Sequence, residues 1–189
     1  GDPTDRYFTN IAWAPDGKTL YMIELNRDQT DMELVSYDAE TGDKTATLCT
    51  EHHDKYVHPM NPIMFLPWDA TKFVMMSEKD GYNHAYLFNI KGEQLKQLTI
   101  GEWIVKDVIG FNSKNKSLIV LTTEASPIQN NIYSVSIANG KRTPLDNGRG
   151  VHAIGLAAGN GKSNILNASG TMLFDRYSEP DVPRNITVS

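Results

Sequence analysis

Hydrophobic positions along this chain fall in short runs that alternate with polar residues, and they are rich in β-branched and aromatic side chains. Thr19-Leu20-Tyr21-Met22-Ile23-Glu24-Leu25 and Ser117-Leu118-Ile119-Val120-Leu121-Thr122 are the clearest, and both predict strands. The pairs Asp16-Gly17, Asp80-Gly81 and Asn139-Gly140 accept the positive φ that a tight hairpin demands. No run is followed by ten or more residues of helical spacing, so the expected fold is all-β and antiparallel.

The runs recur. Trp13, Phe65, Phe111 and Leu166 each close a first strand before a turn, at intervals of about 50 residues. Roughly 23 residues after each anchor a third strand passes through Tyr37, Phe88, Val135 or Val188. A glycine turn follows at Gly42, Gly92 and Gly140, and fourth strands are expected over Lys44–Leu48, Gln94–Leu98 and Lys141–Leu145. Four-stranded units of this length predict the blades of a β-propeller, over about 6–50, 60–100 and 104–147, with an incomplete unit at about 150–189. Residues 1–189 then form one partial propeller domain of about 3.7 blades, nearly half of an eight-bladed ring. A β-sandwich gives no reason for the corner at Trp13-Ala14-Pro15-Asp16-Gly17 to recur. The aromatics at repeat positions, Trp13, Phe65, Phe88, Phe111 and Tyr133, are expected to fill the spaces between blades.

Composition narrows the possibilities. The 189 residues are 40% hydrophobic and 22% charged, which excludes intrinsic disorder. Mean hydropathy is −0.41, and no apolar run approaches the roughly 18 residues of a membrane span. Eighteen basic against 23 acidic residues give a charge of −5, and the Lys and Arg residues are scattered, so no nucleic-acid partner is expected. Cys49 stands alone, leaving no intrachain disulfide and no cysteine metal cluster.

Several arrangements imitate chemistry. Gly155-Leu156-Ala157-Ala158-Gly159 has the spacing of a nucleophile elbow, but Ala157 occupies the attacking position. Gly161-Lys162-Ser163 ends like a phosphate-binding loop, yet the first glycine would have to stand at Leu156. His52, His53, Asp54 and His58 are the densest set of metal-ligand types; neighbouring side chains in an extended segment point apart, and a solvated loop is the expected reading. His84 is expected to anchor its hairpin, and His152 has no recognisable partner nearby in sequence. Asp28, Asp31 and Glu33 flank a hairpin as solvated carboxylates. No catalytic residue, metal or cofactor is expected in this chain.

Four stretches carry a family resemblance. The corner Trp13 to Gly17 resembles the W-[SA]-P-D-G hairpin of TolB-type propellers and of the propellers of the prolyl oligopeptidase family. Ser77 to Tyr86, with Asp80, Gly81 and His84, resembles the S-x-x-D-G-x-x-H-x-Y hairpin of dipeptidyl peptidase IV propellers. Thr99-Ile100-Gly101-Glu102-Trp103-Ile104-Val105 is similar to the T-x-G-x-W-x-V join of that subfamily, and Thr123 to Pro127, followed by Tyr133, resembles its S-x-E-x-S-P loop. The only Trp-Asp pair, Trp68-Asp69, falls in a first hairpin, away from the place it holds in tryptophan-aspartate repeats. Trp13, Asp16, Gly17, Asp80, Gly81, His84 and Trp103 are therefore read as blade markers, with Trp103 packed at a blade join.

The resemblance implies a parent serine exopeptidase that releases N-terminal dipeptides, with further blades and an α/β-hydrolase domain outside these residues. The propeller would gate and position peptide substrate in an extracytoplasmic location. The family's paired glutamate is not among these residues, since the sequence contains no Glu-Glu. At the pocket positions where some members carry an aromatic residue and an arginine, this chain carries His58 and Pro59. Tyr56, His58 and Pro59 are the candidate pocket rim. A TolB-like protein-binding propeller is the alternative reading. Uncovered blade edges and aromatic faces predict pairing with a second copy.

Overall fold

A computed structural model describes residues 3–153 and 166–188. The motifs at Gly155 to Gly159 and Gly161 to Ser163 lie outside the described residues. The chain divides into two compact units, Gly1–Gln97 and Leu98–Ser189. No helix among the described residues is long and apolar enough to cross a membrane.

The first unit holds two four-stranded antiparallel sheets, each a meander in chain order. The first comprises β1 (Arg6–Trp13), β2 (Thr19–Asn26), β3 (Asp31–Asp38) and β4 (Lys44–His52); the second comprises β5 (Met64–Leu66), β6 (Asp69–Ser77), β7 (His84–Asn89) and β8 (Gln94–Gln97). The second unit holds a third sheet of β9 (Val105–Asn112), β10 (Ser117–Thr122), β11 (Asn131–Ser136) and β12 (Arg142–Pro144). Its fourth sheet has β13 (Val151–Ala153), β14 (Phe174–Glu179) and β15 (Val182–Val188). These sheets are blades of a partial β-propeller.

Register explains the repeat. Trp13 pairs with Leu20 and Leu20 with Tyr37; Phe65 pairs with Phe73 and Phe73 with Phe88; Phe111 pairs with Leu118 and Leu118 with Val135. The recurring residues thus form one transverse row across each of the first three sheets. In the fourth sheet the row slips by one residue: Leu166 bridges Leu173, while Val188 pairs with Phe174.

Within the first unit, Tyr21, Ile23, Leu25, Met32 and Leu34 pack against Phe73, Met75, Tyr86 and Phe88. Phe73 and Phe88 stack at 5.6 Å with an interplanar angle of 4°, and Phe65 meets both Phe73 and Tyr21 edge-on. Each such side chain, when fully buried, contributes about 1.5–3 kcal/mol. In the second unit Ile119, Leu121 and Ile132 pack with Leu173.

Two expectations need correction. Trp13 holds its repeat position but is 59% exposed. Its row lies on the face of the first sheet opposite the core, and no element of the unit covers the indole there. The fourth strand of the first sheet continues past Leu48 to His52, so His52 belongs to a strand and not to a loop. Its Nδ1 lies 2.6 Å from Asp31 and its Nε2 lies 3.4 Å from Asp54. Asp31, expected as a solvated carboxylate at a hairpin, is exposed and also accepts from Asn26 and Thr30.

Candidate functional site

The connector from β4 to β5, residues 53–63, builds one wall of a cleft in the first unit. Three bonds tie it to the first sheet. His53 N donates to Thr30 O at 2.9 Å, Val57 N to Gln29 O at 2.7 Å, and Asn10 Nδ2 to Pro59 O at 2.8 Å. Asn10 and Gln29 both adopt positive φ, 55° and 60°, a conformation uncommon in non-glycine residues and concentrated where the surroundings impose it. Asn10 sits at the β-bulge between Thr9 and Ala12, which re-aims its side chain toward the connector. His53 Nδ1 accepts from Lys55 N and Tyr56 N at 3.1 and 3.3 Å, closing the turn that presents Tyr56.

The cleft has a volume of about 310 Å³, and Tyr56, His58 and Pro59 all line it together with Glu51, Ser77 and Lys79. His58 and Pro59 also border a second, more open depression of about 340 Å³ beside Tyr7 and Phe8. The three candidate rim residues are therefore brought together. Of the imidazoles once grouped as possible metal ligands, His52, His53 and His58 line the cleft too, yet no three ligating groups converge on one point among the described residues.

Glu51 was missed because the predicted strand ended at Leu48, four residues short of its end at His52. It occupies the inward face of β4, paired with Met32, and accepts from Ser77 Oγ at 2.8 Å. Burial raises its pKa, against the opposing Ser77 hydrogen bond and the Lys79 charge. Its Oε1 is buried without a hydrogen-bond partner among the described residues. The Lys79 ammonium is spread over the Tyr86 ring at 4.2 Å and bonded to Gln94. The cleft thus combines an apolar floor of Met32 and Met76 with a half-buried carboxyl whose pKa is raised above its ordinary value.

The blade markers serve as scaffold. Asp16 Oδ1 accepts from Lys18 N at 2.8 Å and Thr19 N at 3.2 Å, closing the hairpin at Gly17, whose φ is 68°. Asp80 accepts from Tyr82 N and from Gln97, holding the Gly81 turn onto β8. His84 is fully buried opposite Ser77. In the second unit Trp103 lies where a side chain on Gly101 would be: a Cβ there would meet its Nε1 at 2.2 Å. Arg142 covers the indole at 5.3 Å and gives two bonds to Glu124 Oε1, at 2.9 Å from Nε and 2.8 Å from Nη2. The Gly-x-Trp join and the glutamate of the Ser-Pro loop are thereby parts of one cluster.

Comparison with known proteins agrees with this architecture. Residues 1–184 match the dipeptidyl peptidase IV (DPP IV) N-terminal region. A dipeptidyl peptidase 4 of Arthroderma otae is 32% identical over 184 residues, covering 95% of this chain and 22% of its own length. A probable dipeptidyl peptidase 4 of Emericella nidulans is 25% identical over 153 residues, with 76% and 20% coverage. Among solved structures, a putative dipeptidyl aminopeptidase IV from Bacteroides ovatus superposes with a TM-score of 0.85 at 44% identity, over all of this chain and 28% of that one. The dipeptidyl peptidase 4 of Porphyromonas gingivalis shares the fold, with a TM-score of 0.81 at 23% identity over 25% of its length. The chain spans only 20–28% of the length of these proteins. By its sequence and its blades, it belongs to the dipeptidyl peptidase IV N-terminal region family.

Proposed function

We propose that these blades are the later part of a propeller that guides peptides to a serine exopeptidase centre, and that the cleft beneath residues 53–63 receives part of the peptide. The observation that carries the reading is the convergence of Tyr56, His58 and Pro59 on one cleft with Glu51, Ser77 and Lys79. Those rim positions come from family resemblance, and the cleft comes from geometry. Pro59, where some relatives carry arginine, offers no charge. Recognition here rests on the Tyr56 ring, the His58 imidazole and the methionine floor, a surface suited to apolar or aromatic side chains.

The nucleophile, the remaining blades and the amino-terminus-binding glutamates belong to an α/β-hydrolase domain and blades outside these residues, and the parent acts outside the cytoplasm. This chain by itself hydrolyses nothing: no turnover of a Gly-Pro-linked chromogenic substrate is expected. In the full-length enzyme, Tyr56→Ala should raise KM for peptides of four or more residues about tenfold, with kcat on a dipeptide chromogenic substrate unchanged within twofold. Equal effects on long and short substrates would remove the cleft from the peptide path.

A further inference from the structure

At the start of the fourth sheet a histidine is surrounded by hydrogen-bond acceptors. His152 on β13 has no exposed surface. Its Nδ1 lies 2.9 and 2.8 Å from the two carboxylate oxygens of Asp175 on β14. Its Nε2 lies 2.9 Å from the main-chain oxygen of Arg149 and 3.6 Å from Asp146 Oδ2. Tyr177 of β14 stacks on the ring at 5.3 Å. A main-chain carbonyl can only accept, so Nε2 carries a hydrogen. An ionised Asp175 can only accept, so Nδ1 carries one as well. A neutral imidazole has a single N–H.

We propose that His152 is held as an imidazolium whose charge clasps the third sheet to the fourth, so that this junction loosens when rising pH removes the proton. The clasp reaches both sheets. Asp146, on the connector after β12, accepts from Gly148 N at 2.8 Å and from Ile132 N on β11, and it lies 3.4 Å from Asn131 Nδ2. His152 N donates to Asn130 O at 2.9 Å. Among the described residues, the ionisable groups facing the ring are Asp146 from the connector and Asp175 and Tyr177 from β14, while Asn130 and, at the start of β11, Asn131 are neutral. The side chains of His152, Asp146 and Asp175 are 0%, 0% and 6% exposed. A neutral ring would leave two buried carboxylates without a cation, and uncompensated buried charge is strongly destabilising.

Burial by itself pushes the imidazole's pKa down. The Asp175 hydrogen bond, the charges of Asp146 and Asp175 and the Arg149 carbonyl outweigh it, and the net shift is upward from 6.5. A raised folded-state value means that the stabilisation is complete below the unfolded value and is lost as pH rises through the folded one. The junction is therefore tight below about pH 6.5 and loosens as pH rises through the folded-state value.

The test uses the 189-residue chain labelled with ¹⁵N in histidine. At pH 7 the His152 resonances, assigned by their loss in His152→Gln, should show two protonated ring nitrogens. Hydrogen exchange of residues 146–153, corrected for intrinsic rate, should lose about tenfold in protection relative to residues 84–89 between pH 6.5 and pH 9. That loss should be absent in His152→Gln. If His152→Gln fails to fold, Asp175→Asn serves instead, and it should lower the pH at which the ring titrates. A ring carrying one N–H at pH 7, or protection at 146–153 that does not change with pH, overturns the proposal.

Discussion

The glycine turns that follow the third strands of the first two sheets offer a matched pair of perturbations. Gly42 and Gly92 have φ of 76° and 83°, and each turn is closed by a main-chain bond from the glycine, to Asp38 O at 2.9 Å and to Asn89 O at 3.0 Å. A Cβ on Gly42 would meet nothing within 4 Å. A Cβ on Gly92 would lie 2.1 Å from Leu48 O, 2.6 Å from its carbonyl carbon and 2.8 Å from its Cα. Alanine in the left-handed region costs about 1–2 kcal/mol at either site, reduced by about 0.4–1 kcal/mol because alanine also restricts the unfolded chain. Gly42→Ala should therefore destabilise by about 1 kcal/mol. Gly92→Ala must also drive its turn away from the backbone of β4 by more than 1 Å, an overpacking that typically adds about 1–3 kcal/mol. Its loss should come to about 3 kcal/mol. For a chain of this size the thermal midpoints should fall by about 2–4 °C for Gly42→Ala and about 6–12 °C for Gly92→Ala, and urea midpoints at constant slope give the free energies directly. Losses equal within about 0.5 kcal/mol would mean that the close approach of the two sheets at Leu48 does not govern their packing.

Three further outcomes are expected. Glu51 has a folded-state pKa raised above 4.5, so its contribution is intact below that value and is lost as pH rises. Glu51→Gln keeps the acceptor for Ser77 without ionising, and its urea midpoint should gain on the parent's between pH 4 and pH 7; an offset that does not change with pH would refute this. Arg142→Ala strips Glu124 of two donors and uncovers Trp103, costing roughly 1–3 kcal/mol and shifting indole emission to the red, while Arg142→Lys should recover only part because an ammonium cannot reproduce the forked contact. Phe8 and Trp13, 54% and 59% exposed on the same face of the first sheet, should promote self-association, which light scattering will detect and the double change to serine should reduce. A double variant as associated as the parent would place the contact elsewhere.

The repeat was legible because strands of a meander are joined by short turns, so cross-strand partners recur at fixed offsets in the sequence. Leu20, Phe73 and Leu118 each pair with the anchor on one side and the third-strand residue on the other. Spacing reports neighbours within a sheet. What lies against the face of a sheet is not encoded that way: Trp13 and Phe73 belong to the same kind of row, one largely exposed and one buried under aromatic rings. The cleft was half legible for the same reason. Tyr56, His58 and Pro59 were placed by resemblance, whereas Glu51 enters through an extension of β4 that no repeat predicts.

His152 shows where the missing signal lay. Its partners Asp146 and Asp175 belong to a connector and to the following strand, so no local pattern joins the three residues. Yet Asp175 departs from its own repeat. Aligned through Leu173, its counterparts in the first three sheets are Met22, Met75 and Val120; aligned through Phe174, they are Tyr21, Val74 and Ile119. Every counterpart is hydrophobic or aromatic. A carboxylate at a core position of a repeat needs a buried cation or donor to survive there, and His152, the histidine nearest in sequence to Asp175, was the available candidate. The same logic applies to Glu51, whose carboxyl faces inward from the end of β4 and takes its hydrogen bond from Ser77 in the next sheet. In a propeller the repeat specifies the blade, and polar departures at its buried positions mark where one blade is tied to the next.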